Sequence, residues 1–159
     1  MQDPEEFTLL LKAAYRENER RVLEQLQLLD ITPAHGEVLR VLNKTGPLSL
    51  GELGEYLIVD TGHPSRLVDR MVKLGYLNRQ PAPEDRRRIE ISLTDLGIAK
   101  VEQIQQMRKK LIENAAPFLE QNSLEPVKVL MRNFLAGSHW LKKIDRRLEL
   151  NQSSNFSDK

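Results

Sequence analysis

Ser65, Arg66, Arg70 and Lys73 lie in the run TGHPSRLVDRMVKLG at spacings that place them on the outer side of a short helix, with Leu67, Val68 and Met71 on its inner side. Shortly after it, Glu84-Asp85-Arg86-Arg87-Arg88 interrupts two alternating runs, Tyr76 to Arg79 and Arg88 to Leu93, and so falls at the tip of a β-hairpin. Guanidinium groups pair bidentately with guanine O6 and N7 in a major groove. An Arg-tipped ribbon fits the narrow, strongly negative minor groove beside it. Arg66 and Ser65 are therefore candidates for base contact, His63 for a base or a phosphate, and Arg70 and Lys73 for phosphates. Free N–H groups at a helix start can hold a phosphate, which suits the side-chain-poor Gly62 and Pro64 there, and Thr61 beside them joins the candidate DNA-contacting set. Ser49, at the start of the preceding helix, completes the candidate DNA-contacting set on that side. In the hairpin the set is Arg86, Arg87 and Arg88, with Asp85 expected to hold Arg87 extended through a charge-assisted pair. The plainer reading is a solvated helix face, whose field Asp69 weakens, followed by an ordinary charged turn.

Those residues need elements to position them. Ser49 with Glu52 three residues on is a capping box and opens a short helix ending near Leu57; Ile58-Val59-Asp60 is the turn into the next helix. Leu50, Leu53, Tyr56 and Leu57 can then meet Leu67, Val68 and Met71, so the two helices form a helix-turn-helix. Gly75 is the expected C′ glycine of the second. Thr32-Pro33 starts an earlier helix over Ala34 to Asn43 with Val38, Leu39, Val41 and Leu42 inward, and Gly46-Pro47 ends it.

Asp3-Pro4 opens a first helix running to about Leu29. Thr94 opens a long one to about Asn114, where Pro117 interrupts; Ser123 recaps, and a last helix runs to about Leu150. In that last helix Val127, Leu130, Phe134, Gly137, Leu141, Ile144 and Leu148 repeat at alternating spacings of three and four, a heptad-like seam. A helix packed on its own domain shows the same pattern. Two long terminal helices beside a small reading unit favour pairing with a second copy through Val127, Leu130, Phe134, Leu141, Ile144 and Leu148. The expected organisation is a dimerisation helix over 1–30, a winged helix-turn-helix over 31–97, further dimerisation helices over 98–150 and a disordered tail over 151–159. The fold class is mainly α with a small β-hairpin wing.

Composition narrows the function classes. The formal net charge is only +1, but between Asp60 and Glu90 seven Lys/Arg face five Asp/Glu, against 17 and 18 elsewhere, so the basic excess sits on the reading segment. No cysteine is present, which excludes disulfides, thiolate chemistry and cysteine-ligated zinc. The N-terminal MQDPEEF is no signal peptide and no apolar run is long enough for a span, so a cytoplasmic location is expected. His35, His63 and His139 lie far apart, no metal or cofactor motif stands out, and no nucleophile or phosphate-binding glycine loop suggests an enzyme. A protein-docking winged helix, or a small-molecule binder without DNA readout, are the alternatives to a DNA reader.

The stretch DTGHPSRLVDRMVKLGYLNRQ followed by EDRRRIEISLTDLG resembles the multiple-antibiotic-resistance regulator (MarR) family. The matching residues are Ser65 to Met71, Gly75 to Arg79, Asp85 with Arg87, and Leu93-Thr94 with Gly97. The resemblance implies a homodimer built from the terminal helices, with recognition helices in successive major grooves of a pseudo-palindromic operator. Half-sites would lie roughly 10 bp apart, with the wings in flanking minor grooves. It also implies a transcription regulator, in many members a repressor released by a small anionic aromatic or phenolic compound. The pocket would lie where the dimer helices meet the reading head, with Tyr15, Arg16 and His35 as candidate lining. The plainer and favoured reading has Arg16 in salt bridges within its own domain and His35 as a capping or core-edge residue of the second helix. The chain departs from the family's redox-sensing branch in lacking cysteine, and from its recognition-helix pattern at His63-Pro64.

Overall fold

The computed structural model describes residues 4–58 and 63–154, with the side chains of 151–154 left aside. Its elements are α1 (Pro4–Gln27), α2 (Pro33–Thr45), α3 (Leu50–Gly54), α4 (Pro64–Lys73), β1 (Leu77–Pro81), β2 (Ile89–Leu93), α5 (Asp95–Gln121), α6 (Glu125–Phe134) and α7 (His139–Ser154). Among the described residues no helix is long and apolar enough to cross a membrane.

Helix α2 is the centre of the core. Val38, Leu39, Val41 and Leu42 are all essentially inaccessible, and α3, α4, α5 and α7 pack around them. Its start is set locally: the Thr32 hydroxyl accepts from the His35 N–H at 3.2 Å, and His35 Nδ1 accepts from the Thr32 N–H at 3.4 Å. This is a capping box with a histidine at N3, and it makes Nδ1 the unprotonated ring nitrogen.

Leu53 and Leu57 meet Val68 and Met71 in the same core, which fixes α3 against α4. Removing any of these four would cost both transfer and cavity terms, about 2–5 kcal/mol for a leucine or methionine cut to alanine. β1 and β2 pair antiparallel with Leu77 opposite Leu93 and Pro81 opposite Ile89. A further bridge joins Leu48, just before α3, to Ile91 through bonds of 3.1 and 2.7 Å. The hairpin is therefore anchored to the helix-turn-helix by backbone.

The end of α4 and the start of α5 form one joint. Gly75 takes φ +77°, a left-handed conformation, and its carbonyl accepts from the Thr94 hydroxyl at 2.6 Å. The same hydroxyl caps α5 by accepting from the Gly97 N–H at 3.0 Å. Gly97 must lack a side chain, because a Cβ there would overlap the Tyr76 carbonyl oxygen.

The terminal region differs from expectation in three places. Pro117 does not interrupt: α5 continues through it to Gln121. The proline removes one helical bond to Glu113, but both residues are exposed, so water can meet the freed carbonyl. The expected single helix from Ser123 to Leu150 is broken into α6 and α7, with Gly137 at φ +80° between them. The heptad-like seam is thus not continuous. Val127, Leu130 and Phe134 belong to α6, and Leu141, Ile144 and Leu148 to α7 beyond the turn at Gly137. Finally, α7 extends to Ser154 rather than ending near Leu150; residues 155–159 of the expected tail lie outside the described residues.

Candidate nucleic-acid interface

Helix α4 is strongly two-faced. Val68 and Met71 are fully buried, while Ser65, Arg66, Asp69, Arg70 and Lys73 are exposed. His63 is its N-cap residue, exposed and with no side-chain cap bond, and Pro64 occupies N1, where its missing N–H costs nothing. His63, Arg66, Leu67 and Arg70 line a cleft of about 450 Å³ on the outer face. Thr61 and Gly62, with Val59 and Asp60 of the expected turn, lie outside the described residues.

The wing tip is closed by backbone bonds from Ala82 N–H to the Arg88 carbonyl at 2.8 Å and from Arg88 N–H to the Asp85 carbonyl at 2.9 Å. Arg86 and Arg87 are exposed at this tip. Asp85 does not hold the Arg87 guanidinium as expected. Its carboxylate accepts from the Arg87 backbone N–H at 2.9 Å. An aspartate two residues before an N–H closes an Asx-type turn more easily than it reaches a long side chain. Asp85 therefore shapes the loop and leaves the Arg87 side chain outward.

Arg88 is engaged inside the head. Its Nη2 donates to both Glu52 carboxylate oxygens, at 2.9 and 2.8 Å. Glu52 already accepts from Ser49: its N–H at 2.8 Å and its hydroxyl at 2.7 Å. These Ser49 bonds, with the Arg88 charge added, hold the Glu52 carboxyl below its ordinary range. The Ser49 hydroxyl is spent in this capping box. Arg79 on β1 pairs likewise with Asp69 on α4. The two ion pairs brace the hairpin against α3 and α4. Among the described residues, Arg66, Arg70, Lys73, Arg86 and Arg87 form no salt bridge, so the outward positive field comes from them.

A MarR family model matches residues 31–89, the segment that carries this surface. The multiple antibiotic resistance protein MarR of Escherichia coli (strain K12) is 35% identical over 98 residues, covering 62% of this chain and 68% of that protein. The chain belongs to the MarR family. The HTH-type transcriptional repressor MdtR of Bacillus subtilis (strain 168) is 27% identical over 151 residues, 95% of this chain and 91% of MdtR. A mutant MarR from E. coli, crystallised in complex with operator DNA, superposes with a TM-score of 0.65 at 29% identity, over 80% of this chain and 92% of that one. The residues that carried the resemblance to the MarR family meet in space: Gly75 and Tyr76 close on Thr94 and Gly97, and Ser65 to Met71 form α4.

The candidate lining of an effector pocket is not brought together, and the plainer reading of Arg16 as a salt-bridge partner and His35 as a cap holds. Tyr15 is exposed and donates to Glu19 at 2.7 Å; Arg16 pairs with Glu19 at 3.4 Å on the same helix. His35 is buried and used in the α2 cap. Adjacent residues on α1 find partners one turn away more readily than across the domain. Two clefts of about 420 and 270 Å³ open instead on either side of Arg40, against α5. Arg40 forms no salt bridge with the described residues. Burial, with Arg108 and Arg147 nearby, lowers its pKa to about 10. Glu52, Asp69, Arg79 and Arg40 were all missed as site residues from sequence. Glu52 carried a signal through its capping-box position, and Asp69 and Arg79 lay inside the matched runs, but Arg40 carried none.

Proposed function

We propose that the chain is a transcriptional repressor that binds a pseudo-palindromic duplex operator as a homodimer. The observation that carries this reading is the joint exposure of Arg66, Arg70 and Lys73 on α4 and Arg86 and Arg87 on a wing braced against the same helix. Helix α4 enters a major groove, with Ser65 and Arg66 at the base edges and Arg70 and Lys73 at phosphates. Arg86 and Arg87 enter the adjacent minor groove. Exposed Leu130 and Phe134 on α6 supply apolar surface for a second copy; Phe7 of α1 meets Phe134 edge-on within the chain, ring centroids 6.3 Å apart, so the start of α1 lies beside that surface. MdtR, a relative that matches 95% of the chain, carries the name of a repressor.

The regulatory ligand in this reading is a small aromatic or phenolic anion. The Arg40 clefts suit it better than the Tyr15, Arg16 and His35 set, since Arg40 and Arg108 can face a carboxylate while Val22, Leu26, Ile104 and Met107 offer apolar walls.

Selection of duplexes from a random library, repeated with benzoate present, tests the whole reading. The expected outcome is a dyad-symmetric consensus, with binding weakened by benzoate in the native protein and not in Arg40→Ala. Recovery of no enriched duplex would refute the DNA reading, and benzoate-insensitive binding would refute the anion site for that class of ligand.

A further inference from the structure

Every residue from Gly54 to Leu57 takes a cation from α7. Lys143 Nζ donates to the Gly54 carbonyl at 2.8 Å and to the Leu57 carbonyl at 2.9 Å. Arg146 pairs with the Glu55 carboxylate. Arg147 donates to the Tyr56 carbonyl at 3.2 Å and to Glu37 of α2 at 2.8 Å. The Arg147 and Glu37 side chains are only 16% and 14% exposed, so this pair is held in sheltered surroundings. Lys143 also lies over the Trp140 ring, 5.6 Å from its centroid, which limits its own freedom.

Helix α3 explains why such help is needed. Its last turn satisfies the Glu52 and Leu53 carbonyls, which accept from the Glu55 and Tyr56 N–H groups. Five residues are too few, however, to supply backbone donors for the Gly54, Tyr56 and Leu57 carbonyls among the described residues. Ordinary water would serve, yet here three of the four successive carbonyls face charged donors on one distant helix. Charge-assisted bonds are shorter and stronger than neutral ones, and here they act together on four consecutive residues. The clamped stretch ends at Leu57, directly before Ile58, the last described residue ahead of the connection to α4. Its far side, α7, continues from α6, whose Leu130 and Phe134 expose the apolar surface assigned above to a second copy.

We propose that Lys143, supported by Arg146 and Arg147, is a positioning group for DNA recognition: α7 fixes the direction in which the α3–α4 unit projects from the paired terminal helices, and so sets the spacing of the two heads. This rests on the dimeric DNA-reading function. Lys143 touches no DNA in this scheme. Its effect passes through the carbonyls of Gly54 and Leu57 to the helix that does.

The test compares native protein, Lys143→Met and Lys143→Arg on three duplexes carrying the selected half-site: paired at the selected spacing, paired with one base pair inserted, and single. Native protein should prefer the correct spacing over the insertion by at least about tenfold, the equivalent of one mismatched base pair. Lys143→Met should lose most of that preference, to within about threefold, with single half-site affinity unchanged and the dimer intact by light scattering. Lys143→Arg should restore the preference. Unchanged spacing preference in Lys143→Met overturns the proposal, and so does an equal loss on the single half-site, which would mean local damage to the head.

Hydrogen exchange of peptides covering Glu55–Ile58 and Pro64–Leu67 gives a readout independent of DNA. Faster exchange in Lys143→Met than in native protein supports the clamp, and identical exchange overturns it. A native protein that binds none of the duplexes yet shows the exchange difference would refute the DNA reading while leaving the clamp standing.

Discussion

Arg87→Ala set against Arg88→Ala separates cations aimed at DNA from cations already engaged. Both arginines sit in the same wing, but Arg88 is bound to Glu52 and Arg87 forms no salt bridge with the described residues. Arg66, Arg70, Lys73, Arg86 and Arg87 are the available cations of one head, so a dimer neutralises at most about ten phosphates. The slope of log K against log salt is then no steeper than about −9, and affinity falls on the order of 10⁵-fold between about 50 and 200 mM salt. Arg87→Ala removes one cation from each head and should reduce the slope by about 2, to about −7. Arg88→Ala removes a charge that Glu52 already offsets, so the slope should change by well under about 1. Its cost in folding stability should be on the order of 0.5 kcal/mol, because both partners are 46% exposed and screened by solvent. Fluorescence anisotropy titrations over a salt series, on one operator duplex with the dimer checked by light scattering, measure both slopes. Equal loss of slope in the two variants, or an unchanged slope in Arg87→Ala, would refute the division of cations drawn from the structure.

Three further outcomes are expected. Leu130→Glu combined with Phe134→Glu places charge on exposed apolar positions of α6 and should shift the protein from dimer to monomer by light scattering; a persistent dimer would exclude α6 from the interface. Gly97→Ala should destabilise the fold by about 1–3 kcal/mol in urea melts, because the Cβ meets rigid backbone at Tyr76 rather than a side chain that can move. His35, whose pKa is lowered by burial and then by the Arg70 charge, binds its proton more weakly folded than unfolded. Stability from this group is present above its ordinary value of 6.5 and is lost as pH falls from there through the lower folded value. His35→Gln keeps an N3 capping acceptor and should lose less stability than the native protein between pH 7.5 and pH 5.5, about the ordinary histidine value; parallel urea midpoints for the two proteins would count against it.

Much of the head was legible because its determinants are local. Thr32-Pro33, Ser49 with Glu52 and Thr94 with Gly97 announce helix starts through hydrogen bonds that reach three residues, and the inward set of α2 follows from helical periodicity. The wing was legible from alternation on both sides of a charged turn. Where reading failed, the deciding contact was remote or the local signal ambiguous. Pro117 looks like a stop but is tolerated on an exposed face, and the seam around Gly137 has the spacing of one helix although the backbone turns there.

The sequence by itself determined where most helices begin, which faces are apolar and that the positive charge gathers around α4 and the wing. These follow from bonds and side-chain periods confined to a few neighbouring residues. Only the tertiary structure decided which charges remain outward. Arg88 and Glu52 are 36 positions apart, and Lys143 and Gly54 are 89 apart. A charge–charge or hydrogen-bond energy depends on separation in space, which the order of residues does not contain. Adjacent arginines in one turn thus acquired different roles: Arg87 faces outward, and Arg88 braces the wing.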